Sequence, residues 1–275
     1  MEGQVIKIIS NLYFVSSKEK IYECHSRGRF RNDHISPLVG DYVKFDEKQK
    51  YILEILPRKN FLVRPLVANV DQALIVTSII DPLFSSNLLD KLLTVMEYHS
   101  IKPIICVTKK DLTTEEELYS FEVIMEYYKK IGYSIYDNQD ITSLKKIFKD
   151  KTTVFTGQTG SGKSTLFNLI DSKLKFLTGE TSKALGRGKH TTRHVELIPL
   201  CNGKLVDTPG FSAIDLSKMS DLEIRDGFIE FQEYPCKFRD CRHLNEIGCG
   251  VKEAVENGDI LESRYLNYKK FIEKR

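Results

Sequence analysis

The chain has 275 residues, 41% of them hydrophobic and 29% charged; this balance excludes a mainly disordered protein, and the length favours two or three domains over one. A formal net charge of +3 permits a nucleic-acid partner without demanding one. The start, Met1-Glu2-Gly3-Gln4, lacks the basic and apolar regions of a secretory signal, and no apolar run approaches the roughly 20 residues that span a bilayer. A cytoplasmic, monomeric protein with no membrane partner is expected.

From Gly3 to about Ile55 the pattern is that of short strands: Val5 to Ile9, Leu12 to Val15, Tyr42 to Phe45 and Tyr51 to Ile55, separated by turn residues. A small barrel of the oligonucleotide-binding (OB) type fits best, over residues 1–62. Within it, Arg27-Gly28-Arg29-Phe30-Arg31 sets three arginines around one aromatic, a pattern that suits phosphate and base contacts and equally suits a solvated basic loop. Pro57 to Val67 reads as a connector.

An alternating α/β pattern then predicts a mostly parallel sheet over residues 63–215. Its elements are a strand at Ala73 to Val76, a helix near Asn87 to Tyr98, a buried strand at Ile104 to Val107, and a helix capped by Thr113 or Thr114 and ended by Gly132. Further strands are expected at Thr152 to Thr156, His194 to Leu200 and Lys204 to Val206. Thr108-Lys109-Lys110-Asp111 follows the strand Ile104 to Val107, where open α/β sheets place ligand loops. It resembles the N/T-K-x-D guanine motif of GTPases. A carboxylate at Asp111 accepts from guanine N1–H and N2–H₂, donors that adenine lacks, and the stem of Lys109 can cover the base. Thr108 stands where Asn is more usual, which predicts a weaker tether for the loop.

Gly157-Gln158-Thr159-Gly160-Ser161-Gly162-Lys163-Ser164, followed by Thr165, matches G-x-x-x-x-G-K-[ST] between a strand and a helical run. The glycines let successive N–H groups face phosphates, and the helix start adds its positive dipole end. Lys163 is expected on the β and γ phosphates and Ser164 on Mg²⁺. Asp207-Thr208-Pro209-Gly210 supplies a second phosphate-sensing element, Asp207 toward Mg²⁺ and the Gly210 N–H toward the γ-phosphate. Phe211 stands where many GTPases have a water-orienting Gln, so slow intrinsic hydrolysis is expected. His190, in the loop Gly186 to Thr192, is the candidate replacement, with Thr191 or Thr192 sensing Mg²⁺. The base-reading motif precedes the phosphate loop, the reverse of the usual order. That is the signature of a circular permutation, which preserves a site whose loops gather at one end of a sheet.

Cys236, Cys241, His243 and Cys249 have the spacing C-x4-C-x-H-x5-C. Three thiolates and an imidazole satisfy a tetrahedral structural Zn²⁺, within a domain of residues 216–275 that ends in helices near Val251 to Glu256 and Ile260 to Ile272.

Barrel, permuted nucleotide domain and this cysteine spacing together resemble the RsgA (YjeQ) family. The resemblance rests also on Val39-Gly40-Asp41-Tyr42-Val43, Arg64-Pro65, Ala68-Asn69-Val70-Asp71-Gln72 and Gly186 to Thr192. It implies a GTPase that binds the immature small ribosomal subunit and its rRNA, hydrolyses GTP to GDP and phosphate faster on that subunit than alone, and acts late in its assembly. It also points to His190 as the catalytic group. Ser134 to Asp137 departs from the Ser-Ala loop usual beside the base. An RNA-binding scaffold with a vestigial nucleotide site is the alternative reading.

Overall fold

A computed structural model describes residues 1–26, 30, 35–171, 195–207 and 216–273. The strands are β1 (Glu2–Ile9), β2 (Leu12–Ser17), β3 (Lys20–Ser26), β4 (Tyr42–Asp46), β5 (Tyr51–Ile55), β6 (Phe61–Val63), β7 (Leu66–Ala68), β8 (Gln72–Ser78), β9 (Lys102–Thr108), β10 (Ser134–Asp137), β11 (Thr152–Gly157), β12 (Glu196–Leu200) and β13 (Gly203–Asp207). The α-helices are α1 (Ser86–Tyr98), α2 (Glu115–Lys130), α3 (Ile141–Ile147), α4 (Lys163–Ile170), α5 (Asp221–Asp226), α6 (Gly250–Glu256) and α7 (Glu262–Glu273). They form two compact units: Met1–Ala73 with Ile141–Phe155 and Ser164–Phe211, and Leu74–Asp140 with Thr156–Lys163 and Ser212–Arg275. Among the described residues, no helix is long and apolar enough to cross a membrane.

In the first unit, β1 to β5 close a barrel. β1 pairs antiparallel with β2 and β4, β2 with β3, β4 with β5, and β3 pairs parallel with β5. Alternation sends Val5, Tyr13, Val15, Cys24, Val43, Phe45 and Ile52 inward, joined by Phe30. β1 also pairs with β12 at Lys7↔Glu196, where the two side chains form an ion pair of 2.7 Å. β12 continues antiparallel to β13, and β13 runs parallel to β11.

Several family-motif residues turn out to build the joint beside this barrel. Asp41 is fully buried, accepts the Leu38 N–H at 2.7 Å and takes a forked pair of 2.7 Å hydrogen bonds from Arg58. Gly40 has φ +93, and a Cβ there would lie 2.0 Å from the Ala68 carbonyl oxygen. The Gly40 carbonyl accepts from the side chains of Gln4 and Asn69, while Asn69 Oδ1 accepts the Lys59 N–H. Gln72 donates to the Ile147 carbonyl and to Thr153 Oγ1.

In the second unit β9 lies between β10 and β8, and β9 runs parallel to β10. The capping expected at Thr113 or Thr114 falls on Thr114, which forms a reciprocal capping box with Glu117. The expected strands and helices recur with ends moved by a few residues, His194 lying outside the described residues. The stretch Pro57 to Val67, expected as a connector, instead contains the hairpin β6–β7, because Leu62 and Val67 find a buried face. Strands β3 and β10 and helices α3 and α5 were not foreseen. β3 buries Cys24 but leaves Ile21 61% exposed, and β10 is half-buried throughout, so neither carries a clean period.

A buried charge network holds the second unit together. Arg264 on α7 is fully buried, forks onto Glu230 at 2.7 Å and donates to Asp90 on α1 at 2.7 Å. Tyr128 and Asn267 donate to the same Asp90 carboxylate. Both acids are buried and each is satisfied by the same cation, which is what makes their burial tolerable.

Candidate functional site

The phosphate loop leaves β11 at Gly157, whose φ of +132 and approach to the Val76 carbonyl exclude a side chain: a Cβ would lie 2.1 Å from that oxygen. Gly160 and Gly162 also have positive φ, +85 and +87. Such turns aim consecutive N–H groups into one concavity, which suits an anion. The Ser161 N–H donates back to the Gln158 carbonyl at 3.2 Å, while Ser161 Oγ is buried without a partner among the described residues. Lys163 curls over the loop and donates to the carbonyls of Gly157 at 2.9 Å and Gln158 at 2.6 Å. Burial holds its pKa below the usual lysine value, so a neighbouring polyanion would restore what desolvation costs it.

The Thr108 to Asp111 segment ends β9 and belongs to the same compact unit. The Thr108 hydroxyl lies 2.8 Å from the Ser161 carbonyl and 3.3 Å from that of Thr77. A tether from this segment to the glycine loop is present, made by the Thr108 hydroxyl. Lys109 takes the left-handed conformation, φ +61, and donates to the Asp81 carbonyl. Lys110 pairs with Asp137 at 3.2 Å and Glu122 at 3.7 Å. Asp111 sits exposed on a 3-10 turn over Lys110–Leu112.

One wall escaped the sequence reading. The segment after β8 brings Pro82 to within 3.3 Å of a Cβ at Gly160 and anchors Lys109 through Asp81; Ser78 Oγ donates to the Pro82 carbonyl at 2.7 Å. The position at the carboxyl end of a sheet strand was the available signal. Ser164 and Thr165 open α4, and Asp207 ends β13. His190, Thr191, Thr192, Thr208 to Phe211, the arginines of the 27–31 loop and the Gly186 to Thr192 loop lie outside the described residues.

The second cluster gathers Cys236, Cys241, His243 and Cys249, whose ligand atoms all lie within 4.8 Å of one another. Cys236 Sγ is 3.8 Å from Cys249 Sγ, and His243 Nδ1 is 3.4 Å and 3.3 Å from these two sulfurs. Zinc–thiolate bonds of about 2.3 Å at tetrahedral angles put sulfurs about 3.8 Å apart, so the residues fit the metal. Burial and the crowd of neighbouring thiols push Cys241 up to about 12, and burial beside Arg225 holds His243 down to about 4. A neutral imidazole is ready to ligate, whereas the thiols need a cation to become thiolates. Arg225 donates to the Cys241 carbonyl at 3.2 Å and Tyr265 to that of His243 at 2.6 Å, fixing the loop to α5 and α7.

The sequence and the fold are similar to those of known proteins. Residues 55–217 match the family model for the RsgA GTPase, and residues 2–51 that for the RsgA N-terminal domain. The chain is 48% identical to the small ribosomal subunit biogenesis GTPase RsgA 2 of Oceanobacillus iheyensis, covering 99% of this chain and 96% of that one. It is 47% identical to RsgA of Bacillus velezensis, covering 99% and 96%. The crystal structure of YloQ, a circularly permuted GTPase, is 38% identical with a TM-score of 0.84, covering 99% of this chain and 94% of that one. That of YjeQ from Thermotoga maritima is 35% identical with a TM-score of 0.87, covering 99% and 97%. With the permuted order, the glycine loop, the five-strand barrel and the Cys/His cluster all present, this chain belongs to the RsgA GTPase family and is a GTP hydrolase.

Proposed function

We propose that the chain hydrolyses GTP on the immature small ribosomal subunit and leaves that subunit once the nucleotide is spent, a late step in its assembly. The relatives' names support the ribosomal setting. The observation that carries the nucleotide reading is the hydrogen bond from Thr108 to the Ser161 carbonyl, which ties the base-reading segment directly to the phosphate loop. In this reading Gly157 to Lys163 with Thr165 and the Gly210 N–H hold the phosphates, and Thr108 to Asp111 hold guanine. Ser164, Asp207 and one of Thr191 and Thr192 hold Mg²⁺, which supplies charge neutralisation between the β and γ phosphates. His190 orients the attacking water in place of the missing Gln. Cys236, Cys241, His243 and Cys249 hold a structural Zn²⁺ with no open coordination position. The barrel spans residues 1–62, the permuted GTPase domain 63–215 and the zinc domain 216–275.

With Phe211 unable to orient water, hydrolysis is slow until the ribosomal partner completes the site. GTP turnover measured with and without purified small subunits tests this. Strong stimulation by the subunit is expected; equal turnover in both arms would contradict it. An intact phosphate loop weighs against a scaffold with a vestigial site, which would show no turnover in either arm.

A further inference from the structure

The outward face of α2 has no task in nucleotide binding, yet its composition is unusual. Its buried side carries Phe121, Met125 and Tyr128. On the opposite side, Tyr119 is 71% exposed and Val123, one turn on, 55% exposed. At about 100° per residue, Glu115, Glu116, Glu122 and Glu126 all fall within about 60° of Tyr119, and all four are exposed; the exposed Lys130 closes the same stripe at the helix's end, leaving four carboxylates to one cation. Leu112, just before the helix, is 59% exposed. The helix carries five glutamates against two lysines in a chain that is net positive. Glu117 is used in the capping box, and Glu122 and Glu126 make only open pairs, at 3.7 Å to Lys110 and 3.5 Å to Lys129.

From this face we infer a docking site for a lysine- and arginine-rich protein segment that carries an apolar anchor. Like charge repels a phosphate backbone, so the face is unsuited to RNA even on a ribosome-binding protein. The apolar pair supplies a desolvatable centre, and the surrounding carboxylates select a cationic rim. Given the function proposed above, on which this inference rests, the partner is a basic protein of the small ribosomal subunit. The pairing of Lys110 with Glu122 places the occupied face next to the base-reading segment.

The test uses the full chain with a non-hydrolysable GTP analogue and salt-washed small subunits. With p-benzoylphenylalanine in place of Tyr119, irradiation is expected to join the chain to a ribosomal protein within a Lys/Arg-rich segment. A Glu115→Gln, Glu116→Gln, Tyr119→Ala variant is expected to cosediment at least tenfold more weakly while binding GTP and melting as the parent does. Crosslinks to rRNA, no crosslink from a chain that cosediments, or unweakened cosedimentation of the triple variant would overturn the inference. A parent chain that fails to cosediment at all would instead defeat the ribosomal reading, and this inference with it.

Discussion

The barrel unit and the unit that carries the Cys/His cluster are held by different physics. In the first unit the barrel's β1 passes directly into pairing with β12, and the neighbouring joint is mostly backbone satisfied by carboxamides, with ion pairs whose cations reach solvent: Asp41 to Arg58, 22% exposed, Asp71 to Lys59, 47% exposed, and Glu196 to Lys7, 31% exposed. In the second unit α1 and α7 meet across Arg264, Asp90 and Glu230, none of them more than 2% exposed. A joint built on backbone conformation depends on the glycine that permits it and on the side chains that satisfy its carbonyls. A joint made of buried charge depends on every partner, because removing one strands the others in low dielectric.

Metal removal separates the two sides most sharply. Chelation should release the loop that anchors Tyr265 and Tyr268 and loosen α7, while β1 and β12 stay protected; amide hydrogen exchange reads both. Acid should act in the same direction. Zinc needs thiolates, so its affinity falls as pH falls, and since His243 stays neutral down to about 4 the loss between pH 7 and 5 is set by the thiols. Metal content after dialysis at the two pH values measures it; equal content would contradict the assignment.

Next in size, Arg264→Met should cost about 3–5 kcal/mol by stranding Asp90 and Glu230, read as a drop in unfolding midpoint. Replacing all three charged residues with apolar ones should recover much of that loss. On the barrel side, Gly40→Ala should cost at least about 1–2 kcal/mol from the left-handed backbone alone, and more from the clash with Ala68. It should leave exchange protection in α7 untouched. The smallest effect belongs to the exposed pair Lys44 and Glu54 at 2.8 Å: Lys44→Ala should leave the midpoint unchanged, and a clear shift would show that the barrel relies on side-chain charge after all.

Legibility in the sequence cut across this division. The Gly157 to Ser164 loop is legible because its backbone demands glycine at fixed spacing, and the Cys236, Cys241, His243 and Cys249 cluster because its spacing brings four donor atoms together. The charge network could not be read: Asp90, Glu230 and Arg264 lie far apart in the chain, and each taken alone looks like a solvated surface residue. Gly40, Asp41 and Asn69 were noticed only as carriers of a family resemblance; their physical task, closing the joint beside the barrel, emerges from the carbonyls they satisfy. Strands β3 and β10 were missed because partial burial blurs alternation. The Asp81 to Pro82 wall was missed because its signal is a place in the topology and not a residue pattern.

In the proposed site the Gly157 to Lys163 loop grips a triphosphate and Asp111 selects guanine. Calorimetric titration of the purified chain with GTP and with ATP tests it most directly. A clear binding isotherm is expected for GTP, none for ATP at the same concentrations, and loss of GTP binding in Asp111→Ala; equal heats for the two nucleotides, or an Asp111→Ala variant that binds GTP as the parent does, would contradict this selectivity.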